Sequence, residues 1–252
     1  MIIVKSKREL EKMRTAGQIV ALTMANVVAA VRPGITTGEL DAIAEEAIGA
    51  AGATPSFKGY RGFPASLCTS INAEVVHGIP GGQRLNEGDI VSLDVGAIHR
   101  GFHGDMAMTV PVGSVSPEVE HLLDAGKQTL MEGIRQARPG GHLSDISHAI
   151  QSFAEGKGYA VVTDYTGHGI GRDMHEDPQV LNYGPPGRGP VLASGMVLAI
   201  EPMLNAGGAQ VRVADDGWTV VTVDGGLSVH FEHTVAITDH GPEVLTQMET
   251  DL

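Results

Sequence analysis

Two Arg-Pro-Gly tripeptides, residues 32–34 and 138–140, divide this chain in the same way. Each ends a segment with helical spacing of apolar residues and precedes another such segment, so the order helix, stop, helix occurs twice. Aligning the tripeptides pairs Glu39 with Asp145, Leu40 with Ile146 and Gly52 with Gly158. Strand-like sequence follows each helix pair. The repeat predicts an internal duplication into two α/β halves, with a site between them that draws ligands from both.

The helices are predicted over residues 6–31, 38–52, 117–137 and 144–158, with Ser6 as the first N-cap. The run from Ile19 to Val31 follows several basic residues and so resembles a signal peptide. Acidic residues interrupt the basic region, however, and the apolar run is too short to cross a bilayer. We therefore expect an amphipathic helix and no membrane association.

Length and composition place the chain among globular proteins. It has 252 residues, of which 42% are apolar and 19% charged. We expect one catalytic domain over residues 1–252, with internal halves of roughly 1–115 and 116–252. The 17 basic and 30 acidic residues give a net charge of −13, which argues against nucleic-acid recognition. Cys68 is the single cysteine, which excludes an intrachain disulfide and a thiolate zinc module and favours a cytoplasmic location.

Residues 89–113 are predicted to form a hairpin. If the chain reverses around His99-Arg100, then Asp94 lies directly opposite Asp105. Cross-strand partners have Cβ atoms about 4.5–5.5 Å apart. Two carboxylates at that distance repel each other unless a cation or a shared proton neutralises them. A different register, which would turn one aspartate outward, remains the alternative.

Two glutamates are predicted on apolar strands. Glu201 ends the strand MVLAI, and Glu232 is expected in the middle of the strand VHFEHTVAI. A buried carboxylate needs a cationic partner because its desolvation is costly. Neither strand carries Lys or Arg, which favours metal ions as the partner.

The segment TGHGIGRDMHEDPQV, residues 166–180, contains His168 and His175 in glycine-rich surroundings. Taken alone, it could be a surface turn with incidental histidines. The candidate ligand set combines this segment with the carboxylates above and consists of Asp94, Asp105, His168, Glu201 and Glu232. Four carboxylates and one imidazole are too rich in oxygen for a structural zinc site and suit two first-row divalent ions. Two such ions can activate water and stabilise a tetrahedral intermediate.

These residues lie in five blocks whose sequence and order resemble those of the type I methionine aminopeptidases, peptidase family M24, in their minimal bacterial form. The blocks are INAEVVHGIP, SLDVGAIHRGFHGDMAMT, TGHGIGRDMHEDPQV, MVLAIEPM and FEHTVAIT. The resemblance covers nearly the whole chain. It implies the α/β pita-bread fold, in which two pseudo-symmetric halves surround a curved antiparallel sheet.

The resemblance also implies a role for each matching residue. Asp94 would chelate one metal ion, Asp105 and Glu232 would bridge both ions, and His168 would bind the second ion together with Glu201. Glu201 would also act as the general base. His77 and His175 would contact the scissile amide outside the metal shell, transferring protons or stabilising the oxyanion.

A side-chain pocket for methionine is implied in the same way. Its residues match as Tyr60, Phe63, Cys68, His77, Met174, His175 and Trp218. Ordinary core packing of the aromatic residues is the alternative. Two residues depart from the family, because Met174 often corresponds to an aromatic residue and His230 more often to a neutral amide. Both could alter pocket width or the pH profile, but neither is expected to touch a ligand residue.

The implied activity is metal-dependent removal of the initiator methionine from nascent proteins and peptides, with a preference for a small second residue. Two divalent ions, Co, Mn, Fe or Zn, are the expected cofactors. We expect a monomer that binds peptide N-termini and makes transient ribosome contact. A proline-directed aminopeptidase of the same fold is one alternative, although such enzymes carry an additional N-terminal domain. A metal-free binding relative is the other, although this chain retains all five ligands.

Overall fold

The computed structural model describes residues 1–248, so the last four residues of the predicted domain, 249–252, lie outside the described part. Residues 1–248 contain four α-helices and a short 3-10 helix, Tyr60–Gly62. The helices are α1 Lys7–Ala30, α2 Thr37–Ala50, α3 Pro117–Gln136 and α4 Leu143–Gly156. All four predicted helices are confirmed to within a few residues. No described helix is both long enough and apolar enough to cross a membrane.

The strands are mostly short and antiparallel. In chain order they are β1 Thr54–Pro55, β2 Leu67–Ile71, β3 Glu74–Val76, β4 Ile90–His99, β5 Phe102–Pro111, β6 Ala160–Val161, β7 Gly167–Gly169, β8 Glu176–Val180, β9 Val197–Ile200, β10 Met203–Asn205, β11 Val211–Val213, β12 Val220–Thr222, β13 Ser228–His230, β14 His233–Thr238 and β15 Gly241–Val244.

Four sheets organise these strands. In the first, β4 pairs with β1, β2 and β5, and α1 and α2 pack against it. The largest sheet has the order β15-β14-β9-β7-β8. Two three-stranded sheets, β13-β10-β6 and β11-β12-β3, complete the arrangement. Because α3 and α4 pack mainly on strands of the second half, each helix pair covers its own apolar core.

The first helix begins where the sequence predicts. Ser6 caps it in a capping box: the Ser6 hydroxyl accepts from the Glu9 backbone N–H, and the Glu9 carboxylate accepts from the Ser6 N–H. These bonds satisfy donors that the helix itself leaves unpaired. Leu10 and Met13 then lie on the buried face.

The two Arg-Pro-Gly stops adopt the same local geometry. Gly34 and Gly140 have φ values of 87° and 88°, a conformation that glycine adopts without steric cost. The Gly34 N–H donates to the carbonyl of Leu85 at 2.7 Å, and the Gly140 N–H donates to that of Leu192 at 2.9 Å. This equivalence supports the duplication. The exact division near residue 115 stays a prediction.

The β4–β5 hairpin differs from the prediction in register. Its turn is Arg100-Gly101, one residue later than predicted, with φ values of 49° and 77°. Tight two-residue hairpin turns of this kind need positive φ at both central residues, and Gly101 adopts such a φ without strain. Asp94 therefore pairs with Ala107, and Asp105 pairs with Gly96. The predicted direct pairing is wrong, but the aspartates are diagonal neighbours and share one face of the sheet.

Helix α1 approaches this hairpin closely at Gly104. A Cβ atom on Gly104 would lie 3.0 Å from the backbone of Ala16 and Gly17. The glycine therefore allows the helix to rest directly on β5. This contact fixes the strand immediately before Asp105.

Candidate metal centre

The five predicted ligands come from five separate segments. Asp94 lies on β4, Asp105 on β5 and His168 on β7, while Glu201 directly follows β9. Glu232 lies between β13 and β14, so its predicted position in the middle of one strand is wrong. The strand breaks there because the chain passes between sheets: the Phe231 N–H donates to the Pro202 carbonyl, and the Glu232 N–H donates to the Ala107 carbonyl on β5.

Three of these side chains already form a compact donor group. Candidate ligand atoms of Asp105, His168 and Glu232 all lie within 4.8 Å of one another, and the three residues are buried. His168 Nε2 is 3.9 Å from Asp105 Oδ2 and 3.5 Å from Glu201 Oε1. The structure thus brings Glu201 to the same group.

The orientation of His168 fits a ligand. Its Nδ1 lies 2.9 Å from the Gly169 carbonyl, to which it donates a hydrogen bond. That bond leaves the Nε2 lone pair directed at the carboxylates, the usual arrangement of a metal-binding imidazole. Burial lowers the pKa of His168 to about 3, so the ring is neutral.

The carboxylates lack the partners that buried charges need. Asp94 Oδ1, Asp105 Oδ1 and Glu232 Oε1 are buried without a hydrogen-bond partner among the described residues. Burial raises the pKa of Asp94 to about 7 and that of Glu201 to about 8. Burial and then neighbouring carboxylates raise the pKa of Asp105 and of Glu232 as well. Divalent ions would remove this repulsion, so the donor set fits the metal centre that the sequence indicates.

Two further histidines flank the carboxylates. His77 adopts a φ of 63°, and burial lowers its pKa to about 4. The His175 ring centroid lies 4.2 Å from that of His168, and its Nδ1 is 2.9 Å from the Tyr60 hydroxyl. Tyr60 also stacks on His175, with centroids 5.4 Å apart. The hydroxyl and the stacking contact hold His175 in place beside the candidate ligand His168.

A cavity of about 140 Å³ joins these groups to an apolar recess. The recess contains Phe63 and Trp218, which meet edge to face at 5.2 Å, together with Cys68 and Met174. All twelve predicted site residues line this one cavity: Tyr60, Phe63, Cys68, His77, Asp94, Asp105, His168, Met174, His175, Glu201, Trp218 and Glu232. A larger groove of about 700 Å³, between β5, α3 and β15, contains none of them.

Several neighbours of the site were not predicted. Phe57 and Arg61 also line the cavity, and Tyr165 lies in an adjoining cavity of about 250 Å³. Phe57 and Arg61 lie close to Tyr60 in the sequence, and Tyr165 lies close to His168. This closeness in sequence could have indicated that they border the site. The expectation that His230 touches no ligand residue is wrong, because its Nε2 lies 3.6 Å from Glu201 Oε2. His230 on β13 pairs with Met203 on β10, and this pairing brings His230 close to Glu201.

Residues 11–239 match the metallopeptidase family M24. The chain therefore belongs to this family. Within the family, it belongs with the methionine aminopeptidases. It is 54% identical to methionine aminopeptidase 1 of Bacillus subtilis, over 98% of this chain and all of the relative. It is 55% identical to a methionine aminopeptidase of Clostridium perfringens, over 98% and 99% of the two chains.

Solved structures agree with this assignment. The methionine aminopeptidase from Rickettsia prowazekii superposes with a TM-score of 0.97 at 44% identity, covering 98% of this chain and all of that one. The prolidase from Pyrococcus horikoshii has a TM-score of 0.79 at 24% identity and shares the fold alone, and 65% of its length is matched. The predicted α/β pita-bread fold is confirmed.

Proposed function

We propose that the chain removes the N-terminal methionine from proteins and peptides in a metal-dependent hydrolysis. The single observation that carries this proposal is the shared cavity. The unpaired carboxylates and His168 lie at one side of it, and the apolar recess with Phe63 and Trp218 lies at the other. The relatives named methionine aminopeptidase support the same activity.

The proposed ligand assignment gives Asp94 to one divalent ion, and His168 with Glu201 to a second, with Asp105 and Glu232 shared. Such ions would supply Lewis-acid polarisation of the scissile carbonyl and make water more acidic. Mn, Fe, Co and Zn all suit this donor set. The number of ions and their identity are part of the proposal.

The protein's own residues would bind, orient and transfer protons. Glu201 would take a proton from the attacking water at its carboxylate and pass it to the nitrogen of the leaving amine. His175, held by Tyr60, and His77 would donate hydrogen bonds to the scissile amide and its developing oxyanion. Both imidazoles border the cavity on which Glu201 also opens.

The apolar recess would select methionine. Phe63 and Trp218 offer ring edges and faces to a thioether, and Met174 and Cys68 add polarisable sulfur. A substrate side chain there would place its α-amine and scissile bond toward the carboxylates. We also propose a preference for a small second residue, as the resemblance to methionine aminopeptidases implies; His77 and His175 border the same cavity.

The cellular setting is proposed on narrower grounds. We infer a cytoplasmic monomer that meets nascent N-termini in transient contact with the ribosome. The single cysteine, Cys68, is buried and fits a reducing compartment. Size measurement in solution, and co-sedimentation with translating ribosomes at physiological salt, would test the monomer and the contact separately.

The decisive assay compares hydrolysis of Met-Ala-Ser, Met-Leu-Ser and Ala-Pro-Ser. Metal-stripped protein is used with and without added Co²⁺ or Mn²⁺. We expect cleavage of Met-Ala-Ser alone, and only with metal. Cleavage of Ala-Pro-Ser would keep the metal centre and replace the specificity with that of a proline-directed enzyme. Folded protein that cleaves nothing with any metal would point to a binding protein.

A further inference from the structure

His230 presents a buried imidazole to one oxygen of the Glu201 carboxylate. It is 2% exposed, and its Nε2 lies 3.6 Å from Glu201 Oε2. That nitrogen is buried and has no hydrogen-bond partner among the described residues. A buried polar atom without a partner is costly, so the approach to Glu201 calls for an explanation.

The backbone of His230 is held rigidly. Its N–H donates to the Thr109 hydroxyl at 2.8 Å, and that hydroxyl donates to the His230 carbonyl at 2.9 Å. Thr109 lies on β5 and also bonds Ser92 on β4 at 2.8 Å. The backbone that carries this imidazole is therefore anchored to the same hairpin that carries two of the proposed ligands.

The two oxygens of the Glu201 carboxylate face two different imidazoles. Its backbone carbonyl accepts a bond from Asn182 Nδ2 at 3.1 Å, which fixes the main chain. Its Oε1 faces His168 Nε2 at 3.5 Å, whereas its Oε2 faces His230. Without a donor at Oε2, only side-chain torsions would decide which oxygen turns inward.

We propose that His230 is a positioning residue for Glu201. Its Nε2–H donates to Oε2 and thereby keeps Oε1 directed at His168 and the proposed metal centre. The gap of 3.6 Å is slightly beyond hydrogen-bond range, and a small rotation of either side chain closes it. Outer hydrogen bonds of this kind orient ligating carboxylates and tune the affinity for the metal. The proposal rests on the proposed function of the metal centre.

The test compares His230→Leu, which has no donor, with His230→Gln, which keeps one. Val229→Ala is the matched control, since Val229 is a buried neighbour on β13 that packs in the opposite direction, against α3. Co²⁺ binding to metal-stripped protein is measured by calorimetry and by the visible spectrum of the bound ion. The kcat and KM for Met-Ala-Ser are measured separately.

We expect His230→Leu to lose roughly 10- to 100-fold in Co²⁺ affinity or in kcat, with a changed Co²⁺ spectrum and a KM within about threefold of wild type. His230→Gln and Val229→Ala should both stay close to wild type in spectrum and affinity. If His230 had only a structural role, all three variants would change the stability of the protein. The Co²⁺ spectrum would then not differ in His230→Leu alone.

Two results would overturn the proposal. One is a folded His230→Leu protein with wild-type Co²⁺ affinity, spectrum and kcat. The other is a His230→Gln protein as impaired as His230→Leu, which would exclude hydrogen-bond donation. If His230→Leu does not fold, His230→Met replaces it, because the flexible methionine side chain adapts to irregular space. The Co²⁺ titration reports on His230 even if no peptide is cleaved, so failure of the proposed activity would be recognised separately.

Discussion

Lys5 and Glu176 form an ion pair inside the protein. Lys5 Nζ lies 2.6 Å from Glu176 Oε2, and each side chain is 3% exposed. Glu176 Oε1 also accepts the backbone N–H of Arg172 at 2.8 Å. Since Glu176 directly follows His175, the pair ties the start of the chain to the loop that carries a proposed catalytic histidine.

Removing one member of this pair should destabilise the protein strongly. Lys5→Met leaves the Glu176 charge buried without its cation, so we expect a loss of about 3–5 kcal/mol in the free energy of unfolding. The double variant Lys5→Met, Glu176→Gln should recover much of that loss. Urea unfolding measures both variants. The control Arg135→Met removes the surface pair with Glu132 and should cost less than about 1 kcal/mol. A single variant as mild as this control would contradict the prediction.

Glu201→Gln should retain the fold and lose turnover. The amide has the shape of the carboxylate but cannot accept the proton of the attacking water, and loss of a general base costs about 10²- to 10⁴-fold. The kcat for Met-Ala-Ser and the circular dichroism spectrum are the measurements. The exposed Glu155→Gln variant is the control. Substantial turnover by Glu201→Gln would exclude its role as the base.

Asp105→Asn should weaken metal binding more than a substitution of a residue that only hydrogen-bonds to a ligand. As a proposed shared ligand, Asp105 contributes to both ions, so the loss of Co²⁺ affinity should exceed the roughly 10- to 100-fold typical of an outer hydrogen-bond partner. Calorimetric titration of metal-stripped protein measures it, with the exposed Asp124→Asn as control. An unchanged titration curve would remove Asp105 from the ligand set.

His77→Asn should lower turnover without releasing metal. Asparagine tolerates the positive φ of His77 better than most residues do, so the backbone is preserved. We expect kcat to fall by about 10²-fold or more because a hydrogen-bond donor to the scissile amide is lost. Co²⁺ affinity should stay at the wild-type value. Metal loss in this variant would show that His77 is a ligand instead.

The same variant should change the acid stability of the metal-free protein. Burial, followed by His230 and His175, lowers the pKa of His77 from 6.5 to about 4. The unfolded chain therefore binds a proton that the folded chain refuses, and stability falls as pH drops from about 6.5 toward 4. When the pH is lowered from 7 to 4.5, the free energy of unfolding of His77→Asn should fall by on the order of 1–2 kcal/mol less than that of wild type. Equal losses would contradict the shift, and the exposed His148→Asn should behave as wild type.

Trp218→Ala should weaken recognition of methionine. The substitution removes the edge contact with Phe63 and opens one wall of the recess. We expect a rise of about 10-fold in KM for Met-Ala-Ser with a smaller effect on kcat. The control Val213→Ala changes a half-exposed residue on β11. An unchanged KM would assign Trp218 to packing alone.

Local signals in the sequence predicted local structure well. The Ser6 cap, the two Arg-Pro-Gly stops and the long hairpin all appear, because each depends on residues close together in the chain. The predicted hairpin turn was one residue too early, because the position of the turn depends on which residues adopt positive φ. The break at Glu232 was invisible because the apolar pattern continues unchanged while the chain passes between two sheets.

Contacts between distant segments escaped prediction. The stacking of Tyr60 on His175 and the approach of His230 to Glu201 join residues from separate elements, and no local periodicity encodes them. The five motif blocks indicated which residues belong to the candidate site. Their distances and burial, and the oxygen of Glu201 that His230 faces, required the folded chain.

The five proposed ligands come from separate segments of the chain, and this has a consequence for biosynthesis. Glu232 is the last of the five in chain order, and the carboxylates that precede it cannot be enclosed before it has been translated. Sites that need such long-range closure form late in folding. An enzyme that trims the first residue of other new chains thus becomes competent only after the last of its own proposed ligands has been translated.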